Sequence, residues 1–256
     1  VDKKRILILG GTAEARELAG RLASRGDFEV TLSLAGRTLD PAPQPVPVRT
    51  GGFGGADGLA GYLAAQRIDL LVDATHPFAR QISANAERAA ERTATPILRL
   101  QRPGWQQVDG DRWTRVATLE EAVSALGEAP MRVFLAIGRQ EAHQFNAAPQ
   151  HAYLVRSVDP VEPPLTVPHV TYLLARGPFA VDDEIVLLRD HRVDALVSKN
   201  SGGEATYAKI VAARALRLPV IMVERTGSHS VTTAETVDEI LPLIDHVASG
   251  GRKRGV

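Results

Sequence analysis

The chain contains no cysteine among its 256 residues. Disulfides, thiolate nucleophiles and Cys-ligated zinc or iron–sulfur centres are thereby removed together, and no metal is expected. It also lacks a surplus of charge, with 30 Lys and Arg against 30 Asp and Glu. Neither nucleic acid nor an anionic membrane surface is an expected partner, so anions must be met by local clusters. Long apolar runs are missing as well. The first, "ILIL" at Ile6, is too short for a signal h-region, and no later run approaches the roughly 20 apolar residues of a membrane span. No sequence period recurs, which excludes repeat architectures. The expectation is a soluble, cytoplasmic protein acting on small molecules, with room for one large or two small domains.

What is present is alternation. Short apolar runs at 5–9, 30–34, 69–72 and 97–100 predict strands, and helical spacing predicts helices at 13–25, 57–66 and 79–92. In the first helix Ala15, Leu18, Ala19, Leu22 and Ala23 share one apolar face. The polar, turn-rich stretch "RPGWQQVDGDRW" interrupts the pattern and places a domain junction near Trp105. Alternation then resumes, with strands at 132–137, 152–158, 170–174, 194–197 and 220–223 and helices at 120–126, 140–147, 181–190, 205–216 and 234–247. The Pro-rich "VDPVEPPLTVP" reads as a loop, and "GGRKRGV" at the end as a frayed basic tail. This predicts an α/β protein of two Rossmann-like parallel-sheet domains, residues 1–105 and 106–256, with a ligand cleft between them.

The stretch "ILILGGTAEARELAGRLASRG" carries part of a dinucleotide fingerprint. Gly10 serves the tight turn and Ala15 close helix packing, but Thr12 stands where G-x-G-x-x-G/A has its middle glycine. A helix N-terminus offers N–H groups to a phosphate, and the Thr12 hydroxyl is a candidate extra donor. The next strand ends in "TLSLAGRT", with no acid to hold a ribose diol and with Arg37 placed for a 2′-phosphate. That favours NADP(H) over NAD(H). A plain Gly-Gly turn with a surface arginine is the bland alternative.

Ligands of open α/β sheets bind outside the carboxyl ends of the strands, so the strand-end loops are read together. "RTGGFGG", after a third probable strand, includes Gly51 and Gly52 and lets a backbone approach a ligand closely. "DATHPFA" sets Thr75 and His76 before Pro77, a residue suited to the first helical position. In the second half "AIGRQEAHQF" and "VSKNSGGEATYAK" expose Arg139, His143, Lys199, Asn200 and Ser201 at helix starts, with Gly202 and Gly203 following. Solvated turns are the bland alternative throughout.

Gly10-Gly11-Thr12 with Glu14-Ala15-Arg16, then "DATHPFA", "LRLQRPGW", "AIGR", "GPF" at Gly177, "SKNSGG" and "PVIMVER" occur in order along nearly the whole chain. This set resembles the precorrin-6A reductase family of cobalamin biosynthesis. The resemblance implies reduction by NADPH of one double bond beside the A–D ring junction of a corrin precursor. It departs from the family pattern at Ser198 and Asn200, where threonine and aspartate are common, and at Thr226, where proline often follows Arg225. An acid role at position 200 is thereby placed in doubt.

On this reading Gly10, Gly11, Thr12, Ala15, Arg16, Arg37, Gly51, Gly52 and Thr75 bind NADPH. His76, Arg139, His143, Lys199, Asn200, Ser201, Gly202, Gly203 and Arg225 meet the carboxylates of the tetrapyrrole. His76, Lys199 and water are the alternatives for the proton that follows hydride delivery. An NADP-dependent reductase of another substrate and a non-catalytic NADP(H) sensor are the competing functions. "TYAK" at Thr206 lacks the Tyr-x-x-x-Lys spacing of a short-chain dehydrogenase.

Overall fold

The computed structural model describes residues 3–36, 42–225 and 231–250. Numbered along the chain, the elements begin with β1 (Lys4–Leu9), α1 (Ala13–Ala23), β2 (Phe28–Leu34), β3 (Val48–Thr50), α2 (Gly55–Ala65), β4 (Leu70–Asp73), α3 (Arg80–Thr93) and β5 (Ile97–Leu100). There follow β6 (Trp113–Val116), α4 (Leu119–Ala125), β7 (Arg132–Ala136), a 3-10 turn at Ala142–Ala147, β8 (Ala152–Ser157) and β9 (Val170–Leu174). The rest is α5 (Val181–Asp190), β10 (Ala195–Lys199), α6 (Ala208–Ala215), β11 (Val220–Val223), β12 (Thr233–Ala234) and α7 (Val237–Gly250).

Two compact units result, one from Val1–Pro103 with Ser228–Val256 and the other Gly104–Gly227. Each holds a six-stranded sheet whose pairings are all parallel. The orders are β12-β5-β4-β1-β2-β3 and β6-β11-β10-β7-β8-β9. In the first, the chain runs outward from central β1, returns across it and continues on the other side; in the second it enters at edge strand β6 and then follows the same course from β7. The switch points are therefore β1/β4 and β7/β10.

Burial on both faces explains the continuous apolar strands. In β1, Ile6 and Ile8 pack with α1 and α7, while Leu7 and Leu9 pack with α2 and α3. Each such fully buried side chain contributes about 1.5–3 kcal/mol. In the second unit Phe134, Leu154, Leu196 and Met222 from four adjacent strands meet Ile210 and Ala213 of α6.

The expected boundary of 1–105 and 106–256 needs correcting. The C-terminal segment belongs with the first sheet, because Thr233 and Ala234 pair with Arg99 and Leu100 and α7 packs in the first core. The helix expected from 234 accordingly starts at Val237. Trp113, read as junction, begins β6, the matching edge strand of the second sheet, and pairs with Val220. The helix expected at 140–147 is a short 3-10 turn, ended before Pro149, and that expected from 205 starts at Ala208. Arg49 and Thr50 lie within β3, so the glycine loop begins at Gly51.

Candidate functional site

Register brings the carboxyl ends of the first sheet level. Leu9 stands beside Ser33 of β2 and Asp73 of β4. Beyond Leu9 the chain turns at Gly10, where an added Cβ would lie 2.6 Å from Leu32 Cδ1, and at Gly11, whose φ is +116°. Close packing on Leu32 disfavours a side chain at the first position and left-handed backbone disfavours one at the second. Thr12 then caps α1, its hydroxyl accepting from Ala15 N–H at 3.1 Å. The same hydroxyl donates to the Ala74 carbonyl at 2.9 Å, tying the loops on either side of the switch point. Its single hydrogen is thus used within the chain in this structure. Ala15 is buried against the sheet as expected, and Arg16 is exposed.

On β4, buried Asp73 accepts from Thr75 Oγ1 at 2.7 Å and Thr75 N–H at 3.2 Å. Behind it Arg99 donates to Asp73 Oδ2 from Nε at 3.1 Å and from Nη2 at 3.0 Å, and to Glu87 Oε1 at 2.8 Å. A carboxylate only accepts, so the Thr75 hydroxyl gives its hydrogen to Asp73 and is left as an acceptor, with Ser83 Oγ 3.4 Å away. His76 Nδ1 accepts from Phe78 N–H at 3.3 Å. That bond assigns the ring proton of the neutral imidazole to Nε2, leaving that nitrogen the donor. Arg102 pairs with Glu14 in the first turn of α1 at 2.8 Å.

A cavity of about 160 Å³ opens at this edge. Gly10, Ser33 and Ala35 form one side, Gly51 to Gly55 another, and Thr75, Ile82 and Asn85 close it. Of the expected cofactor residues it gathers Gly10, Gly51, Gly52 and Thr75, with Gly11 and Thr12 in the adjoining turn. Arg37 lies outside the described residues, as does the basic tail beyond Gly250.

In the second unit Ser198 of β10 stands level with Ala136 of β7, and Lys199 with Val223 of β11. Lys199 Nζ donates to Glu141 Oε1 at 2.6 Å across the β7/β10 switch point. Arg139 is half-buried and His143 exposed, its Nδ1 2.8 Å from the Gln140 carbonyl.

Asn200 differs from expectation. Its Oδ1 accepts from Trp105 N–H at 2.7 Å, and its Nδ2 donates to the Trp105 carbonyl at 3.1 Å and to Glu224 at 3.0 Å. The side chain is spent holding the segment that enters this unit. Gly203 accepts from Trp105 Nε1 at 2.9 Å, and Arg225 Nε donates to the Asn200 carbonyl at 2.8 Å. Gly202 and Gly203 adopt positive φ, and Ser201 is buried. Arg156 forms a two-pronged pair with Glu184 and lies 3.8 Å from the centre of the Phe179 ring, fixing the "GPF" turn.

Glu141, Asp73, Arg99 and Trp105 were missed as contributors, although each lies inside a motif quoted for the resemblance or one of the strand-end loops. Most of their partners lie far off in sequence, which no local pattern reveals. Among the described residues no group of three or more His, Asp or Glu side chains suits a metal, and no helix is long and apolar enough to cross a membrane.

Residues 5–245 match the family model described as Precorrin-6x reductase CbiJ/CobK. The chain belongs to the precorrin-6x reductase family. A member of that family from Sinorhizobium sp, named Precorrin-6A reductase, is 58% identical over 246 residues, covering 96% of this chain and 94% of its own. One of the same name from Rhodobacter capsulatus is 47% identical over 253 residues, covering 98% and 99%. The solved structure titled CobK precorrin-6A reductase superposes with a TM-score of 0.90 at 46% identity, over 95% of this chain and 97% of that one. Family membership makes the protein an oxidoreductase of cobalamin biosynthesis and agrees with the paired Rossmann-like sheets.

Proposed function

We propose that this precorrin reductase reduces one carbon–carbon double bond of precorrin-6A to give precorrin-6B, using NADPH held at the β1–β3 edge of the first unit. The observation that carries the cofactor reading is the cavity beside the capped α1 N-terminus, walled by glycines and lacking an acid at the described end of β2. Those residues fit a dinucleotide: Gly10 and Gly11 would let the backbone approach it, and the N-terminal turn of α1 would offer N–H groups to a phosphate. Thr75, its hydroxyl hydrogen committed to Asp73, would accept a hydrogen bond from the cofactor. When bound, NADPH supplies the hydride.

The protein's own share is orientation and the proton. Arg139, Lys199 and Arg225 are assigned to substrate carboxylates, along with His143. Asn200 is not, since both of its amide N–H donors are engaged by Trp105 and Glu224. His76, once its ring takes a second proton in place of the Phe78 bond, and Lys199, through its ammonium beside Glu141, are the alternatives to water as proton source.

The test is anaerobic NADPH oxidation with metal-free and cobalt forms of precorrin-6A, followed by mass analysis. A product heavier by two hydrogens, formed with one NADPH consumed, is expected. Nucleotide binding without consumption would mark a sensor and overturn the reading.

A further inference from the structure

We infer that Arg49 is a positioning residue for the dinucleotide, turning the backbone of residues 51–53 so that its N–H groups face the cavity. The inference rests on the assignment of that cavity to NADPH. Arg49 is half-buried in the middle of the three-residue β3 and is not itself part of the cavity wall. One guanidinium nitrogen donates to the Gly51 carbonyl and lies 3.5 Å from Ser33 Oγ; the other donates to the Gly52 carbonyl at 2.8 Å. Its carbon sits 3.7 Å from the centre of the Phe53 ring and 5.5 Å from that of Tyr62. One cation therefore engages three consecutive residues of the wall.

A trans peptide unit is planar, with its C=O and N–H pointing in opposite directions. Drawing the Gly51 and Gly52 carbonyls onto Arg49 directs the N–H groups of Gly52 and Phe53 the other way. Both residues line the cavity. Successive N–H groups on one side of a turn make an anion-binding concavity, which suits a phosphate of the cofactor. Arginine is needed because its fork reaches two carbonyls while its flat face stacks on Phe53. Lysine offers a point charge without that geometry.

The experiment compares the unaltered protein with Arg49→Met and Arg49→Lys, measuring NADPH binding by calorimetry and steady-state kinetics with precorrin-6A. Arg49→Met should weaken NADPH by about tenfold, equivalent to about 1.4 kcal/mol. Its kcat at saturating NADPH and its KM for precorrin-6A should stay within about twofold, and Arg49→Lys should recover little of the loss. Melting without nucleotide checks the fold, and Arg49→Gln replaces the Met variant if that unfolds. Unchanged NADPH affinity in the neutral variant would overturn the assignment. So would full recovery by lysine, which would show that charge alone suffices. Failure of the unaltered protein to bind NADPH would overturn the cofactor reading and this inference with it.

Discussion

The side-chain amide of Asn200 brackets the backbone of Trp105, accepting from its N–H at 2.7 Å and donating to its carbonyl at 3.1 Å. A residue expected to meet substrate is thus a clasp between the end of β10 and the entry to the second unit. Asn200→Ala leaves both Trp105 groups without their partner and should cost about 1–3 kcal/mol in urea unfolding. Unchanged stability with a raised KM for precorrin-6A would return Asn200 to the substrate site.

Thr12 joins the two loops at the β1/β4 switch point. Thr12→Val removes both the cap and the bond to Ala74 and should destabilise the protein by about 1–2 kcal/mol, whereas Thr12→Ser should retain most of the stability. Equal unfolding midpoints for the two variants would show that the hydroxyl does not matter.

Lys199 and His76 are expected to serve substrate rather than cofactor. Lys199→Ala and His76→Ala should each lower turnover while NADPH affinity stays nearly constant. Were NADPH affinity to collapse with precursor binding intact, the assignment would be reversed.

His151 is fully buried beside Tyr153. Burial pushes its pKa below the ordinary imidazole value, with the Gly127 backbone partly opposing. The unfolded chain therefore takes up a proton near pH 6.5, at about the ordinary histidine pKa, that the folded protein still refuses. Stability is full above that pH and declines as pH falls from there toward the folded-state pKa. Urea midpoints of His151→Gln should fall less than those of the unaltered protein between neutral and mildly acidic pH. Parallel pH dependences would exclude His151 as a source.

Cofactor preference tests Arg37 from sequence alone. Charge-assisted bonds to a 2′-phosphate are worth about 1.5–3 kcal/mol, so Arg37→Ala should weaken NADPH by roughly tenfold to a hundredfold and leave NADH nearly unaffected. Equal losses in kcat/KM for both nucleotides would mean that Arg37 only shapes its loop.

The amino-acid sequence by itself determined the α/β class, the doubling of the layers, the turn at Gly10 and the family. Apolar periodicity and turn chemistry act over a few residues, and ordered motifs survive without knowledge of contacts. Tertiary structure alone decided where the edge strands go. Thr233–Ala234 is too short to carry a pattern, and only its pairing with β5 makes it a strand. The same holds for the polar partners. Lys199 meets Glu141 across 58 positions and Asn200 meets Trp105 across 95, so the roles of these side chains depend on separations that only the folded chain closes. Asn200 and Lys199 are neighbours in one motif, yet one is bonded to the Trp105 backbone and Glu224 and the other is held at a strand end by Glu141. Which groups remain for a ligand is set by hydrogen bonds already made, and those bonds form only when distant strands align.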